Sequence, residues 1–136
     1  MMLIEDGVIG YGTPMSRFFP TFPRGDEILV RHLLAHTSGL HEMLRLEPFH
    51  SNMGKAWTAA ELLKMVAGAP LDFKPGTAQA YSNSGYLVLG MMIEALSGES
   101  YDQQIREKIA APLGMTCLQA GDDTSIIIDE CCGYSS

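Results

Sequence analysis

A serine hydroxyl becomes a nucleophile only beside a base. Sequence shows such a base as a strained Gly-x-Ser-x-Gly elbow or as a one-turn Ser-x-x-Lys pair. Neither pattern occurs in these 136 residues. Ser38 is followed by Gly-Leu-His, and Ser51 meets Lys55 one position too late. No cysteine has a histidine placed to be read as its partner, so spacing alone names no nucleophile. His32 and His36 stand four apart and on a helix would share one face, within reach of a common metal ion. The hydrolytic zinc helix reads His-Glu-x-x-His, in which the Glu handles the water proton. Leu33 stands where that Glu would be, and His41 or Glu42 is the candidate third ligand. The competing reading fixes both imidazoles by capping and packing. The expectation is no metal and no cofactor.

The segment richest in chemistry runs Phe73-Lys74-Pro75-Gly76-Thr77, then Tyr81-Ser82-Asn83-Ser84-Gly85-Tyr86. Tyr81 and Asn83 lie two apart on a loop that feeds a helix. They are placed to present a phenol and an amide to a cleft. The spacing alone favours a blander account: Asn83 or Ser84 caps the helix, and Tyr81 packs as an aromatic.

The elements that must position these residues are mostly helices. Residues 1–4 read as helical, stopped by Gly7, and residues 10–25 as loop broken by Gly and Pro. Ile28 to His36 reads as a short helix with Val30, Leu33 and Leu34 on its apolar side. A long polar connection follows, carrying His41, Pro48, His50 and Gly54. Thr58 to Ala67 has the clearest helix signal, with Thr58 and Glu61 as a capping box ahead of one apolar face. Ser84 to Leu96 is apolar at almost every position, the pattern of a helix buried on most sides. Ser100 and Gln103 form a second capping box, opening a helix to about Ala110 that Pro112 ends. Ile126 to Ile128 could form a short strand within Ser125 to Asp129. The chain reads as mainly α.

Composition bounds the function. The chain is 46% hydrophobic and 18% charged, which excludes a disordered or low-complexity tail. Its length fits one domain, residues 1–136. Nine Lys+Arg against 16 Asp+Glu leave a net charge of −7. An acidic chain with no basic run is a poor surface for phosphate, so no nucleic-acid partner is expected. Three cysteines, two of them adjacent at Cys131 and Cys132, do not make a disulfide framework. No run approaches a bilayer span, and Met1 to Gly7 lacks the basic and apolar regions of a signal peptide.

Four stretches, in order, resemble the serine β-lactamase-like hydrolases, particularly the class C β-lactamase, esterase and D-aminopeptidase branch of the penicillin-binding superfamily. They are Leu3-Ile4-Glu5-Asp6-Gly7 leading to Phe19-Pro20, and Val30-Arg31-His32-Leu33-Leu34-Ala35-His36-Thr37-Ser38-Gly39-Leu40. The third is Pro75-Gly76 through Tyr81-Ser82-Asn83-Ser84-Gly85-Tyr86 to Leu89-Gly90, with Ile93-Glu94 and Ser97-Gly98. The fourth is Pro112-Leu113-Gly114-Met115. The resemblance implies part of an α+β β-lactamase/transpeptidase-like fold with most of its sheet missing, so residues 1–136 are expected to be one partial domain. It implies a small-molecule ester, amide or β-lactam as substrate. It also implies that Tyr81 is a general base or proton relay, and that Asn83 binds the substrate acyl amide and a lysine.

The family surrounds its cleft with Ser-x-x-Lys, Tyr-x-Asn, and Lys-Thr-Gly or His-x-Gly. Only the middle motif is present here, as Tyr81 and Asn83, and Leu29 replaces the usual helix-capping Thr. A tyrosine of pKa about 10 is ionised in roughly one part in a thousand at pH 7, so a phenolate base needs nearby positive charge. Neither motif lysine lies within the 136 residues. The resemblance therefore predicts a fragment of a serine hydrolase, inactive as this chain alone. It also predicts self-association through an apolar helix face left uncovered. The rival reading is a non-catalytic helical module that binds a ligand or partner.

Overall fold

The computed structural model describes residues 1–52 and 54–115. The expected strand at Ser125 to Asp129 and all three cysteines lie outside those residues. Two compact units emerge, Met1–Glu99 and Ser100–Ser136. Among the described residues there is no strand, and the chain is mainly helical, as expected.

In the first unit, α1 spans Met2–Glu5 and Gly7 follows it at φ +69°. The proline- and glycine-broken segment after it is more ordered than its composition suggests. Pro14 and Leu29 form an antiparallel bridge, and Met15 N–H donates to the Ile28 carbonyl at 2.7 Å. A 3-10 turn covers Met15–Arg17 and drives the Met15 side chain into full burial. This pairing also trims the next helix. Residues 28 and 29 are spent on the bridge, so α2 spans only Val30–Leu34 rather than Ile28 to His36. Its start lacks the usual threonine, and the Leu29 N–H finds an acceptor in His32 Nδ1 at 3.3 Å.

The polar connection holds two elements that its composition hid. A 3-10 turn covers Met43–Arg45, and α3 spans Glu47–His50 with Pro48 in its first turn. Helix α4 spans Ala59–Ala67, opened by the expected capping box. Glu61 N–H donates to Thr58 Oγ1, and Thr58 N–H donates to Glu61 Oε2. Helix α5 spans Asn83–Ser97 and ends at Gly98 in a left-handed turn. Both α2 and α4 pack on α5. Val88 and Met92 of α5 meet Leu33, Val66, Met15 and Ile28 in one core. Burying such side chains contributes about 1.5–3 kcal/mol each.

In the second unit, α6 spans Tyr101–Ile105 and continues as a π-helical turn over Arg106–Ala110. Ser100 Oγ accepts from Gln103 N–H, the forward half of the expected box. The Gln103 side-chain amide donates onward to Glu107 Oε1 at 2.9 Å.

Candidate functional site

Tyr81 and Asn83 stand at the mouth of α5, and a short ladder of backbone bonds brings them there. Asp72 N–H donates to the Gly39 carbonyl, Gly76 N–H to Thr37, and Ala80 N–H to His36, at 2.8, 2.8 and 3.0 Å. Residues 72–80 therefore hang on residues 36–39. Gly39 sits at φ +75°, and a Cβ there would overlap the Phe73 carbonyl oxygen, so the close approach requires glycine. His36 also has positive φ, +57°. That bend ends α2 and swings the imidazole against both tyrosines, with centroids 4.7 Å from Tyr81 and 5.1 Å from Tyr86. Its Nδ1 accepts the Ser82 N–H at 3.3 Å.

At the site itself, the Tyr81 hydroxyl donates to Asn83 Oδ1 at 3.1 Å. Tyr81 is 72% exposed, so its phenol faces outward rather than packing as a core aromatic. Asn83 is the first residue of α5, and extended Ser82 is the N-cap, contributing no side-chain cap bond. The blander expectation, a cap from Asn83 or Ser84, is not how the helix opens. A carboxylate from 41 residues upstream takes that role. Glu42 Oε2 accepts the Asn83 backbone N–H, and Oε1 accepts Asn83 Nδ2 at 3.2 Å. A negative charge at the start of a 15-residue helix is favoured by the helix dipole. Ser84, fully buried, ties the same loop down. Its Oγ donates to the His41 carbonyl at 2.7 Å and accepts from Met43 N–H at 2.9 Å.

The histidines do not share a helix face. His32 lies in α2, whereas His36 is past its end in the left-handed turn, and each Nδ1 accepts a backbone N–H. The two residues considered as a third metal ligand are engaged elsewhere. His41 Nδ1 meets Asp72 Oδ1 at 2.7 Å, and Glu42 holds Asn83. Among the described residues, no three His, Cys, Asp or Glu side chains converge as a metal site. Burial, reinforced by the charge of Arg31, holds the His32 imidazole below its ordinary pKa. Ser82 Oγ is buried with no hydrogen-bond partner among the described residues. An apolar groove of about 650 Å³, lined by Leu46, Trp57, Met65 and Pro70 among others, contains neither Tyr81 nor Asn83.

Sequence reasoning missed Glu42 as the partner of Asn83, and Ser84 as a tie to residues 41 and 43, because these contacts span 41 residues or more. Local spacing carries no signal for such pairs. His36 left a faint one, since a histidine before Thr-Ser-Gly at the end of a helical pattern suits a left-handed turn.

A Beta-lactamase family model matches residues 1–127. The chain belongs to the β-lactamase family. It is 34% identical over 117 residues to penicillin-binding protein 4* of Bacillus subtilis, covering 85% of this chain and 26% of that protein. A putative D-alanyl-D-alanine carboxypeptidase of Escherichia coli K12 is 36% identical over 127 residues, 84% of this chain and 28% of that one. Among solved structures, the D-amino acid amidase of Ochrobactrum anthropi SV3 complexed with L-phenylalanine superposes with a TM-score of 0.80 at 34% identity. The match covers 93% of this chain and 35% of the amidase. The chain thus spans about a quarter of the length of these curated relatives, and its helices are part of a β-lactamase/transpeptidase-like fold.

Proposed function

We propose that residues 1–136 form one partial domain, a wall of the catalytic cleft in a serine hydrolase that acylates a serine and then hydrolyses the acyl-enzyme. The substrate class is a small-molecule ester, amide or β-lactam. Tyr81 is the general base or proton relay. Asn83 binds the substrate acyl amide and an approaching lysine. The observation that carries this reading is the Tyr81–Asn83 pair, 3.1 Å apart, held at the start of helix α5 in a chain of this family. Names among the relatives support the reaction class, since an amidase and a putative carboxypeptidase both cleave amide bonds.

These residues contain no Ser-x-x-Lys, so the nucleophile and the cation that would stabilise a Tyr81 phenolate come from chain outside them. The 136 residues alone are expected to be inactive. The test is expression of the uninterrupted reading frame that carries these residues, with kinetics of Tyr81→Phe and Asn83→Ala. Loss of a positioned proton-transfer group lowers kcat by about 100-fold or more. Unchanged kcat/KM in both variants would overturn the assignment and favour the rival, a helical module that binds without catalysis.

A further inference from the structure

The contacts of Glu42 reach further than capping a helix. Glu42 is 9% exposed, and its two carboxylate oxygens accept three N–H groups: the backbone N–H and Nδ2 of Asn83, and the backbone N–H of Leu44. An ionised carboxylate only accepts, whereas a side-chain amide has one accepting and one donating end. Asn83 can therefore face Glu42 only with its nitrogen. Turned the other way, Oδ1 would meet the carboxylate oxygen and both would lose a hydrogen bond. The backbone bond from the same residue fixes the distance as well as the angle.

We propose that Glu42 is a positioning residue, which locks the Asn83 amide so that Oδ1 always faces the Tyr81 hydroxyl. The inference rests on the reading of Tyr81 and Asn83 as cleft residues. Its consequence is a fixed pair of oxygens, Tyr81 Oη and Asn83 Oδ1, 3.1 Å apart on the exposed side of the helix start. A cation or N–H donor arriving there meets two acceptors that need no reorganisation. A free amide would spend part of its time presenting its NH₂ group, which repels a cation. Ser84 secures the same loop to the same helix but touches neither end of the Asn83 side chain. It separates positioning from mere structural support.

The test uses protein from the uninterrupted reading frame, labelled with ¹⁵N-asparagine and ¹³C-glutamate. Asn83→Asp identifies the Asn83 side-chain NH₂ signals. The wild type is expected to show a through-hydrogen-bond coupling between Asn83 Nδ2 and the Glu42 carboxylate carbon, with one amide proton shifted away from the free-asparagine position. Glu42→Gln, which leaves one accepting oxygen for the three N–H groups, should return the Asn83 amide protons toward the free-asparagine position and lower kcat about tenfold, with KM within twofold. Ser84→Ala should lower the melting temperature while leaving the Asn83 signals and kcat unchanged. Free-asparagine shifts in the wild type would overturn the proposal, and that measurement stands even if Glu42→Gln fails to fold. An equal kinetic loss in Ser84→Ala would overturn it too, reducing Glu42 to structural support. If the coupling is present but Asn83→Ala turns over normally, the cleft reading fails while the locked amide stands.

Discussion

Gly39 and Ser84 contribute more to the stability of the surrounding loops than their size suggests. At Gly39 a methyl group would meet both a left-handed backbone and the Phe73 carbonyl. Gly39→Ala is expected to destabilise by about 2 kcal/mol or more, read as a lower urea midpoint, because backbone must move on both sides. Ser84→Ala leaves the Met43 N–H without its acceptor in a fully buried spot, and about 1–3 kcal/mol should be lost. An unchanged midpoint in either variant would show that the loop is held some other way. At this scale the sequence was partly legible. The contact between Tyr81 and Asn83 is local, two residues apart, but their spacing alone favoured a helix cap and a packed aromatic, and only the family resemblance singled them out. Glu42 was weighed only as a metal ligand, because nothing around it reveals an asparagine 41 positions away.

Helix starts show how local rules succeed and where tertiary pairing overrides them. The Thr58–Glu61 box was legible because both halves lie within four residues, and Thr58→Ala should cost about 1 kcal/mol of stability. Hydrogen bonds from Lys55 and Thr58 pull the Glu61 carboxyl down to about 2 from 4.5. A lowered acid pKa stabilises the fold above the unfolded value. Glu61's contribution is therefore present above pH 4.5 and lost as pH falls toward 2, and Glu61→Gln should flatten the acid limb of the stability curve. For α2 the sign is the same, with a histidine in place of the acid. His32 is held below 6.5 when folded, so the unfolded chain takes up the proton first. The stability from neutral His32 is full above pH 6.5 and declines as pH falls below it, while the Leu29 N–H loses its acceptor. Urea midpoints at pH 7.5 and 5.5 should differ more in the wild type than in His32→Gln. The bounds of α2 were misread because apolar periodicity cannot show that residues 28 and 29 are claimed by a bridge to Pro14. Composition likewise made Met43–Arg45 and α3 look like plain loop.

For the whole molecule, an apolar helix and a family motif were legible, but what covers the helix was not. Helix α5 buries Val88 and Met92, yet leaves Tyr86 exposed and Leu87, Leu89, Met91 and Ile93 half-buried. Completing the burial of several such side chains amounts to some kcal/mol, a large share of a typical domain's stability. The isolated 136 residues are therefore expected to bind a hydrophobic dye, self-associate and melt without a sharp transition. A monomer that melts cooperatively without dye binding would show that these helices close their own core. No helix among the described residues is long and apolar enough to cross a membrane. The central claim is that Tyr81 and Asn83 serve a serine supplied from outside this stretch. Its most direct test is peptide mapping after the uninterrupted reading frame reacts with a fluorescent penicillin and a p-nitrophenyl ester. The account predicts an acyl adduct on the serine of a Ser-x-x-Lys outside residues 1–136, and none within them. An adduct on a serine inside these 136 residues, with turnover abolished by changing that serine to alanine, would contradict it.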